Sequence, residues 1–246
     1  MALTEAEQDY LEKLFWFEEA GIEPTQANLA RGMNVSQPSV TEMVRRLVDD
    51  GLVERDERKR LHFTAHGREV AQKVVSRHRL IEAFLTTVFK IPWDEVHEEA
   101  HTFEHAISDT LEQRMYALLA DATACPHGHP IGDHPREAGE PMSLVPRDSV
   151  VRLLRFENED PDLLRLFRRS GLEPGERYVL VEGSDGHVAF RPAEGDDATT
   201  AQAELPIPVA GTLSVRVEER GDGPAATAIP RTGAQAALLG ETAWGM

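Results

Sequence analysis

Between Thr25 and Phe63, caps, stops and turn residues recur so closely that there is room only for two short helices and a hairpin. Thr25 is placed to cap QANLARGM, the turn Asn34-Val35-Ser36 follows, and Ser36 caps QPSVTEMVRRLVDD. Pro38 falls in the first turn of that helix, where its missing N–H has no intrahelical partner to lose, and Gly51 stops it. Val40, Met43, Val44, Leu47 and Val48 make one buried stripe, which leaves Gln37, Ser39, Thr41, Glu42, Arg45 and Arg46 on the outer faces. LVERDERKRLHFT then reads as a strand, a charged turn over Asp56–Arg60 and a returning strand. Ahead of all this, Leu3–Ala20 is apolar at Leu11, Leu14, Phe15 and Phe17, starts at a Thr4/Glu7 capping box and ends at Gly21. Helix, helix–turn–helix and charged hairpin in that order predict a winged helix-turn-helix. Such a module lays its second helix in the DNA major groove and its wing along the backbone. Gln37, Pro38, Ser39, Thr41 and Glu42 mark the end facing the bases, while Arg45, Arg46, Arg58, Lys59 and Arg60 are the cations for phosphates.

Overall charge points the other way. The chain has 43 acidic against 26 basic side chains, a net −17, which argues against bulk attraction to nucleic acid or an anionic membrane. The excess is not uniform: residues 31–77 carry ten basic and seven acidic groups, residues 78–145 four and twelve. Seven of the ten histidines lie between His78 and His134, in that same acidic stretch. Histidine mixed with carboxylate is the composition a divalent metal site needs. No apolar run reaches the ~18 residues that span a bilayer, and the acidic start MALTEAEQDY is unlike a secretory signal. A single cysteine excludes an intrachain disulfide framework and fits a cytoplasmic location.

The metal-ligand pattern centres on DEVHEEAHTFEHAISDTLEQRM, whose helical period sets His97, His101 and His105 at steps of four. Residues three and four apart share a helix face, so His101, Glu104 and His105 can converge on one ion. His78 and Glu82 in RHRLIEAFL repeat the four-residue spacing, and Asp9 and Glu12 of the first helix can complete a site across a helix interface. Cys125-Pro126-His127 offers a thiolate and an imidazole two residues apart. His62, His66 and His187 read as ordinary surface or core histidines, and His129 and His134 as solvated linker residues.

Residues 126–147 are dense in Pro and Gly, and the sequence after Glu219 is small and Gly/Ala-rich. The expected layout is a winged helix-turn-helix DNA-binding domain over 1–73, a helical metal-binding and dimerisation domain with linker over 74–145, an SH3-like domain over 146–219 and a flexible tail over 220–246. The fold class is mainly α with β. In the third unit VVRLLRF is a strand, DPDLLRLFRRSGL a short helix, RYVLVEG-SDG-HVAFR a hairpin, and IPVAGTLSVRVEE the last strands.

On DYLEKLF, VSQPSVTEMVRRLVDDGLV, RHRLIEAFL and VHEEAHTFEHAISD, residues 4–219 resemble the diphtheria toxin repressor family, which includes iron-dependent and manganese transport regulators. The resemblance implies a dimeric, metal-activated transcriptional repressor with a C-terminal SH3-like barrel, acting on double-stranded operator DNA. It implies one metal site at Asp9, His101, Glu104 and His105, with Glu12 as a further ligand. A second site is implied at His78, Glu82 and His97, joined by Cys125 and His127 and by a carboxylate of the third unit, with Asp160 the first choice and helix capping its alternative role. The iron branch has Met and Cys at the positions of Asp9 and His101, and the manganese branch has Asp and usually Glu. Asp9 places this chain nearer the manganese branch, while His101 departs from both. Mn²⁺ is favoured and Fe²⁺ is the close rival, because the Cys125 thiolate also suits softer ions. The expected dimer seam includes Phe84, Leu85, Val88, Phe89, Ile91, Trp93 and Phe103. Two other functions compete: a winged-helix regulator gated by a small organic ligand, and a metallohydrolase built on His101, Glu104 and His105. The second leaves the winged helix unexplained and lacks a separate acid–base motif.

Overall fold

Helix α1 (Glu5–Ala20) begins at a reciprocal cap: the Glu7 N–H donates to Thr4 Oγ1 at 3.3 Å and the Thr4 N–H donates to Glu7 Oε2 at 2.8 Å. The computed structural model describes residues 3–119, 121–194 and 203–225. Helices α2 (Gln26–Gly32) and α3 (Gln37–Asp49) start at Thr25 and Ser36, whose hydroxyls accept from the N–H three residues on. Asn34, at φ 52°, makes the left-handed step between them. Strands β1 (Val53–Arg55) and β2 (Leu61–Phe63) pair antiparallel, Val53 opposite Phe63, and form the wing. Leu11, Leu14, Phe17, Leu29, Val40, Val44, Leu47 and Leu61 make the core of this unit. The α3 stripe is narrower than the sequence implied, because Val48 is exposed.

Helix α4 (Ala65–Phe84) starts at Thr64 and runs on from the wing into a second core. Its first turn packs so closely on the wing that a Cβ at Gly67 would lie 1.7 Å from the Leu52 carbonyl oxygen, so only glycine fits. Ala71 belongs to the first core, whereas Leu80, Ile81 and Ala83 join Leu85, Val96, Ala100, Ile107 and Met115 in the second. The end of α4 widens into one π turn over Leu85–Phe89. The single helical period expected over 94–115 is broken into α5 (Val96–Glu104) and α6 (Asp109–Leu118). The break lies at Ser108, whose hydroxyl accepts from the Leu111 N–H and caps α6.

The third unit is an antiparallel sheet of six strands in the order β3-β8-β4-β5-β6-β7. Its elements are β3 (Glu140–Pro141), β4 (Val150–Phe156), helix α7 (Pro161–Arg169), β5 (Arg177–Val181), β6 (His187–Pro192), β7 (Ala203–Pro206), the helical turn α8 (Ile207–Ala210) and β8 (Leu213–Glu219). Ile207–Ala210, expected as strand, is helical: Pro208 has no N–H for a ladder and sits in the first turn, where none is needed. Val151, Leu153, Phe156, Leu164, Phe167, Leu180, Phe190, Leu213 and Val215 fill the core. An N-terminal winged helix, a helical region and a C-terminal sheet domain are the expected class. The tail expected to be flexible lies outside the described residues from 226 onward.

Stacking and ion pairs fix the sheet domain against the helices. Trp93 stacks on Phe156 at 4.8 Å and Phe156 on Phe167 at 5.1 Å, while Arg168 pairs with Asp94 and Arg165 with Glu98 at 2.9 Å. Trp93 therefore packs against the sheet domain. Leu85 is buried within its own chain, and of the expected seam Val88 and Phe89 are exposed.

Candidate metal centre

Helix α4 packs against both α1 and α5, and their polar side chains meet where the three converge. Asp9, His101, Glu104 and His105 bring one ligand atom each to within 4.8 Å of one another. His105 Nε2 lies 3.1 Å from Asp9 Oδ1 and 3.5 Å from Glu104 Oε1, and His101 Nδ1 lies 2.9 Å from Glu104 Oε1. His78, Glu82, His97 and Glu159 form a second such group, and Glu82, Cys125 and His127 extend it. Glu12, His78, His101 and Glu104 likewise bring one ligand atom each to within 4.8 Å of one another. His78 links the two halves: its Nδ1 is 2.8 Å from Glu104 Oε2 and 3.5 Å from Glu12 Oε1, and its Nε2 is 3.0 Å from Glu82 Oε1.

The Cys-Pro-His segment is locked by its backbone. The Cys125 N–H donates to the His129 carbonyl at 2.8 Å and the Gly128 N–H to the Cys125 carbonyl at 2.9 Å. Gly128 has φ 91°, and a Cβ there would be 1.9 Å from the Leu154 carbonyl oxygen. The buried His127 donates from Nε2 to the Trp93 carbonyl at 2.7 Å, which turns Nδ1 towards Glu82 Oε1 at 3.2 Å. A backbone partner on one ring nitrogen leaves the other as the lone pair for a ligand.

Two residues fall elsewhere than expected. Asp160 caps α7, accepting from the N–H groups of Asp162 and Leu163. The carboxylate that enters the centre is Glu159, with Oε2 3.1 Å from His97 Nδ1 and 3.7 Å from His127 Nδ1. An Asp directly before a proline at the first helical position is a capping signal, which could have directed the choice to Glu159. His129 is buried rather than solvated, donating from Nε2 to the Phe156 carbonyl at 2.8 Å.

Charge in the centre is balanced by protons. Burial, with Glu104 against the opposing pull of His78, pushes the Glu12 carboxyl up to about 7. Burial acts the same way on Glu104, but hydrogen bonds from His101 and His78 outweigh it and hold the carboxyl down at about 2. Burial would depress His78, but Glu12 and Glu82 raise it well above the ordinary value; Glu82 and Glu159 do the same for the buried His127. Burial lifts the Cys125 thiol to about 11.

The donors fit a divalent ion. Among the described residues, Glu12 Oε1, Glu82 Oε2, His105 Nδ1 and His127 Nδ1 are buried atoms with no hydrogen-bond partner, and such atoms are costly to leave unmade. Carboxylate and imidazole alone make the Asp9 group, a set suited to Mn²⁺ and Fe²⁺ alike, and Cys125 adds one soft donor to the other.

In the N-terminal unit, Gln37, Pro38, Ser39, Thr41, Glu42, Arg45, Arg58 and Lys59 are exposed on α3 and the wing. Arg45 is held between Glu42 at 2.6 Å and Asp49 at 2.7 Å. Arg46 leans back to Glu7 of α1 at 2.7 Å, and Arg60 to Asp56 at 2.7 Å, so both brace the fold as well as bordering the surface. Asp56 shapes the wing turn by accepting from the Arg58 and Arg60 N–H groups, with Lys59 at φ 61°.

Comparison with known proteins agrees with this architecture. Residues 2–61 match the iron dependent repressor N-terminal DNA binding domain, and residues 64–133 the iron dependent repressor metal binding and dimerisation domain. The chain is 33% identical over 219 residues to the iron-dependent repressor IdeR of Mycobacterium tuberculosis (strain ATCC 25618 / H37Rv), covering 82% of this chain and 95% of the relative. It is 37% identical over 193 residues to the diphtheria toxin repressor of Corynebacterium efficiens, covering 73% and 84%. A solved manganese-dependent transcriptional repressor in complex with manganese superposes with a TM-score of 0.77 at 30% identity, over 86% of this chain and 99% of that one. IdeR of T. acidophilum superposes with a TM-score of 0.72 at 27% identity, over 89% and 100%. The chain belongs to the iron-dependent repressor family: it is a metal-dependent, DNA-binding repressor. This is a family of transcriptional repressors, not of enzymes. Among the described residues no helix is long and apolar enough to cross a membrane.

Proposed function

We propose that the chain is a homodimeric repressor of metal-homeostasis genes whose operator binding is switched on by Mn²⁺, with Fe²⁺ as the rival effector, through two metal sites per chain. The observation that carries this reading is the placement of Asp9 and Glu12 on α1, within the DNA-binding unit, against His78, His101, Glu104 and His105 on the helices behind it. Asp9, His101, Glu104 and His105 would hold one ion, with Glu12 beside them. His78, Glu82, His97, Cys125, His127 and Glu159 would hold the other. A bound ion supplies positive charge that offsets carboxylates which otherwise repel across the α1–α5 seam. Asp9 and Glu12 then fix α1, and with it α3, relative to the dimerisation helices, so the two reading heads keep the spacing of the operator half-sites. In this reading the head comprises residues 1–73, 74–145 form the metal-binding and dimer-forming unit, and 146–219 the sheet domain that contributes Glu159.

Exposed Gln37, Ser39 and Thr41 at the start of α3 face the bases, with Arg45, Arg58 and Lys59 on the backbone. The test is binding of the full-length protein to duplexes enriched in vitro in the presence of Mn²⁺, titrated against buffered Mn²⁺, Fe²⁺ and Zn²⁺. Metal-dependent binding, lost in Asp9→Ala and His105→Ala with folding intact, is expected. Equal binding in chelator would refute it and favour a regulator gated by an organic ligand.

A further inference from the structure

Helix α1 is held at both ends, and the end away from Asp9 is held by arginines. Glu19, in its last turn, offers one carboxylate oxygen to each of two guanidinium groups: Oε2 to Arg79 of α4 at 2.5 Å and Oε1 to Arg136 of the linker at 2.9 Å. Arg136 reaches on to Glu157, just past β4, and Glu157 accepts from Arg155 at 3.3 Å, which itself donates to Ser214 of β8 at 3.0 Å. Arg136 also donates to Nδ1 of the buried His129, whose Nε2–H is committed to the Phe156 carbonyl. Arg79 is buried and donates to the Pro130 carbonyl at 3.2 Å. None of Glu19, Arg136 and Glu157 belongs to either metal group, yet they run without a gap from the DNA-binding unit through the linker to the sheet domain.

The linker is itself fastened to that domain. Glu140–Pro141 adds to β8 as an edge strand, Glu137 pairs with Arg216, and Glu140 pairs with Arg220 at 2.6 Å. With Trp93 stacked on Phe156, the sheet domain presents Glu157 from a fixed position. Arginine is charged at any pH the protein meets, so the clasp needs no ion and no protonation change to form.

We infer that Arg136 is a positioning residue: by clasping Glu19 of α1 to Glu157 of the sheet domain, it holds the DNA-binding unit in the docked orientation that metal binding completes. Glu19 anchors the far end of the helix whose Asp9 and Glu12 must meet α5, and the clasp raises the docked fraction before metal arrives. Apparent affinity for an effector falls in proportion to the fraction of molecules in the competent state. Loss of the clasp therefore raises the metal concentration needed for operator binding, while affinity for the operator at saturating metal is unchanged. This inference rests on the metal-switched reading above.

The test compares full-length wild type, Arg136→Met, Glu157→Gln and the double variant. Each is titrated with Mn²⁺ in the presence of the enriched duplex and, separately, followed by amide hydrogen exchange in chelator. Arg136→Met is expected to move the Mn²⁺ midpoint up by about tenfold, within the usual range of intersite coupling. Exchange in the last turn of α1 should be faster without metal, operator affinity at saturating Mn²⁺ unchanged, and the double variant no worse than the worse single one. Glu157→Gln removes only the outer partner and serves alone if Arg136→Met fails to fold. An unchanged midpoint and unchanged α1 exchange in a folded Glu157→Gln would overturn the inference. So would an equal loss of operator affinity at saturating metal. If wild type itself binds DNA without metal, the functional reading fails, and the exchange measurement still decides the clasp.

Discussion

Glu12→Gln should stabilise the metal-free protein at alkaline pH, against the usual result of changing a buried charged residue. Glu12 is 2% exposed, its Oε1 has no hydrogen-bond partner, and burial pushes its carboxyl from 4.5 up to about 7. For a group whose folded value lies above its unfolded one, the associated stability is fully present below pH 4.5. It is lost as the pH rises through about 7. At 1.36 kcal/mol per unit the loss is about 3 kcal/mol by pH 8. Gln keeps the shape and removes the charge, but its buried amide goes partly unpaired at a cost of about 1 kcal/mol, leaving a net gain of about 2 kcal/mol. His78 is not stranded by the change, since Glu82 and Glu104 remain within 3.0 Å of its ring nitrogens. Urea unfolding with chelator at pH 5 and pH 8 measures the effect: a gain at pH 8 that disappears at pH 5, where the wild-type carboxyl is already protonated. With saturating Mn²⁺ the order should invert. A Gln variant less stable than wild type at pH 8, or a difference identical at the two pH values, would refute the reasoning.

Metal binding should expel protons, because His78 and His127 are held well above their ordinary values by the carboxylates around them and must surrender a lone pair to ligate. Titration calorimetry in two buffers of different ionisation heat should show at least about three protons released per chain, one each from His78, His127 and the Cys125 thiol, with affinity rising from pH 6 to 8; heats independent of buffer would contradict this. Glu159→Ala should weaken the Cys125-containing site, whereas Asp160→Ala should cost about 1 kcal/mol of stability through the lost cap and leave metal stoichiometry alone. Counting bound metal in both variants separates the two roles. Arg58→Ala should reduce the slope of log affinity against log salt by about 1 with folding unaffected. Arg46→Ala should also lower the melting temperature, because it removes the partner of the buried Glu7 carboxylate; a melt equal to wild type would remove that bracing role.

What the sequence made legible is what short-range chemistry decides. Thr4, Thr25 and Ser36 each accept from the N–H three residues on, so the starts of α1, α2 and α3 could be read from their caps. Three- and four-residue spacings brought His101, Glu104 and His105 together in advance, because a helix face is set by its period, whereas Asp9, on another helix, was joined to them by the family resemblance. The same period misled over residues 94–115: regular histidines masked the Ser108 cap that starts a new helix there. The burial of His129 and the stacking of Trp93 on Phe156 depend on where the sheet domain docks, which no local pattern encodes. Asp160 and Glu159 are adjacent carboxylates of similar chemistry, and only the direction of the chain into α7 decides which one enters the centre.

The acidic total also acquires a structural reason. Each carboxylate of the proposed centre lies against histidine ring nitrogens in this structure: Asp9 against His105, Glu12 against His78, Glu82 against His78, His97 and His127, Glu104 against His78, His101 and His105, and Glu159 against His97 and His127. Arginine takes the neighbouring struts instead, on Glu7, Glu19 and Glu157. The division follows from what each cation can do. A guanidinium beside a ligand carboxylate would hold its charge permanently and repel an incoming divalent ion, whereas an imidazolium can give up its proton and become a ligand itself. A metal-responsive joint therefore needs histidine at the contact that must change and arginine at the contacts that must not. With Asp9 and Glu12 in the first class and Glu19 in the second, the proposed metal switch would act on α1 as a helix fixed at one end and responsive to the ion at the other.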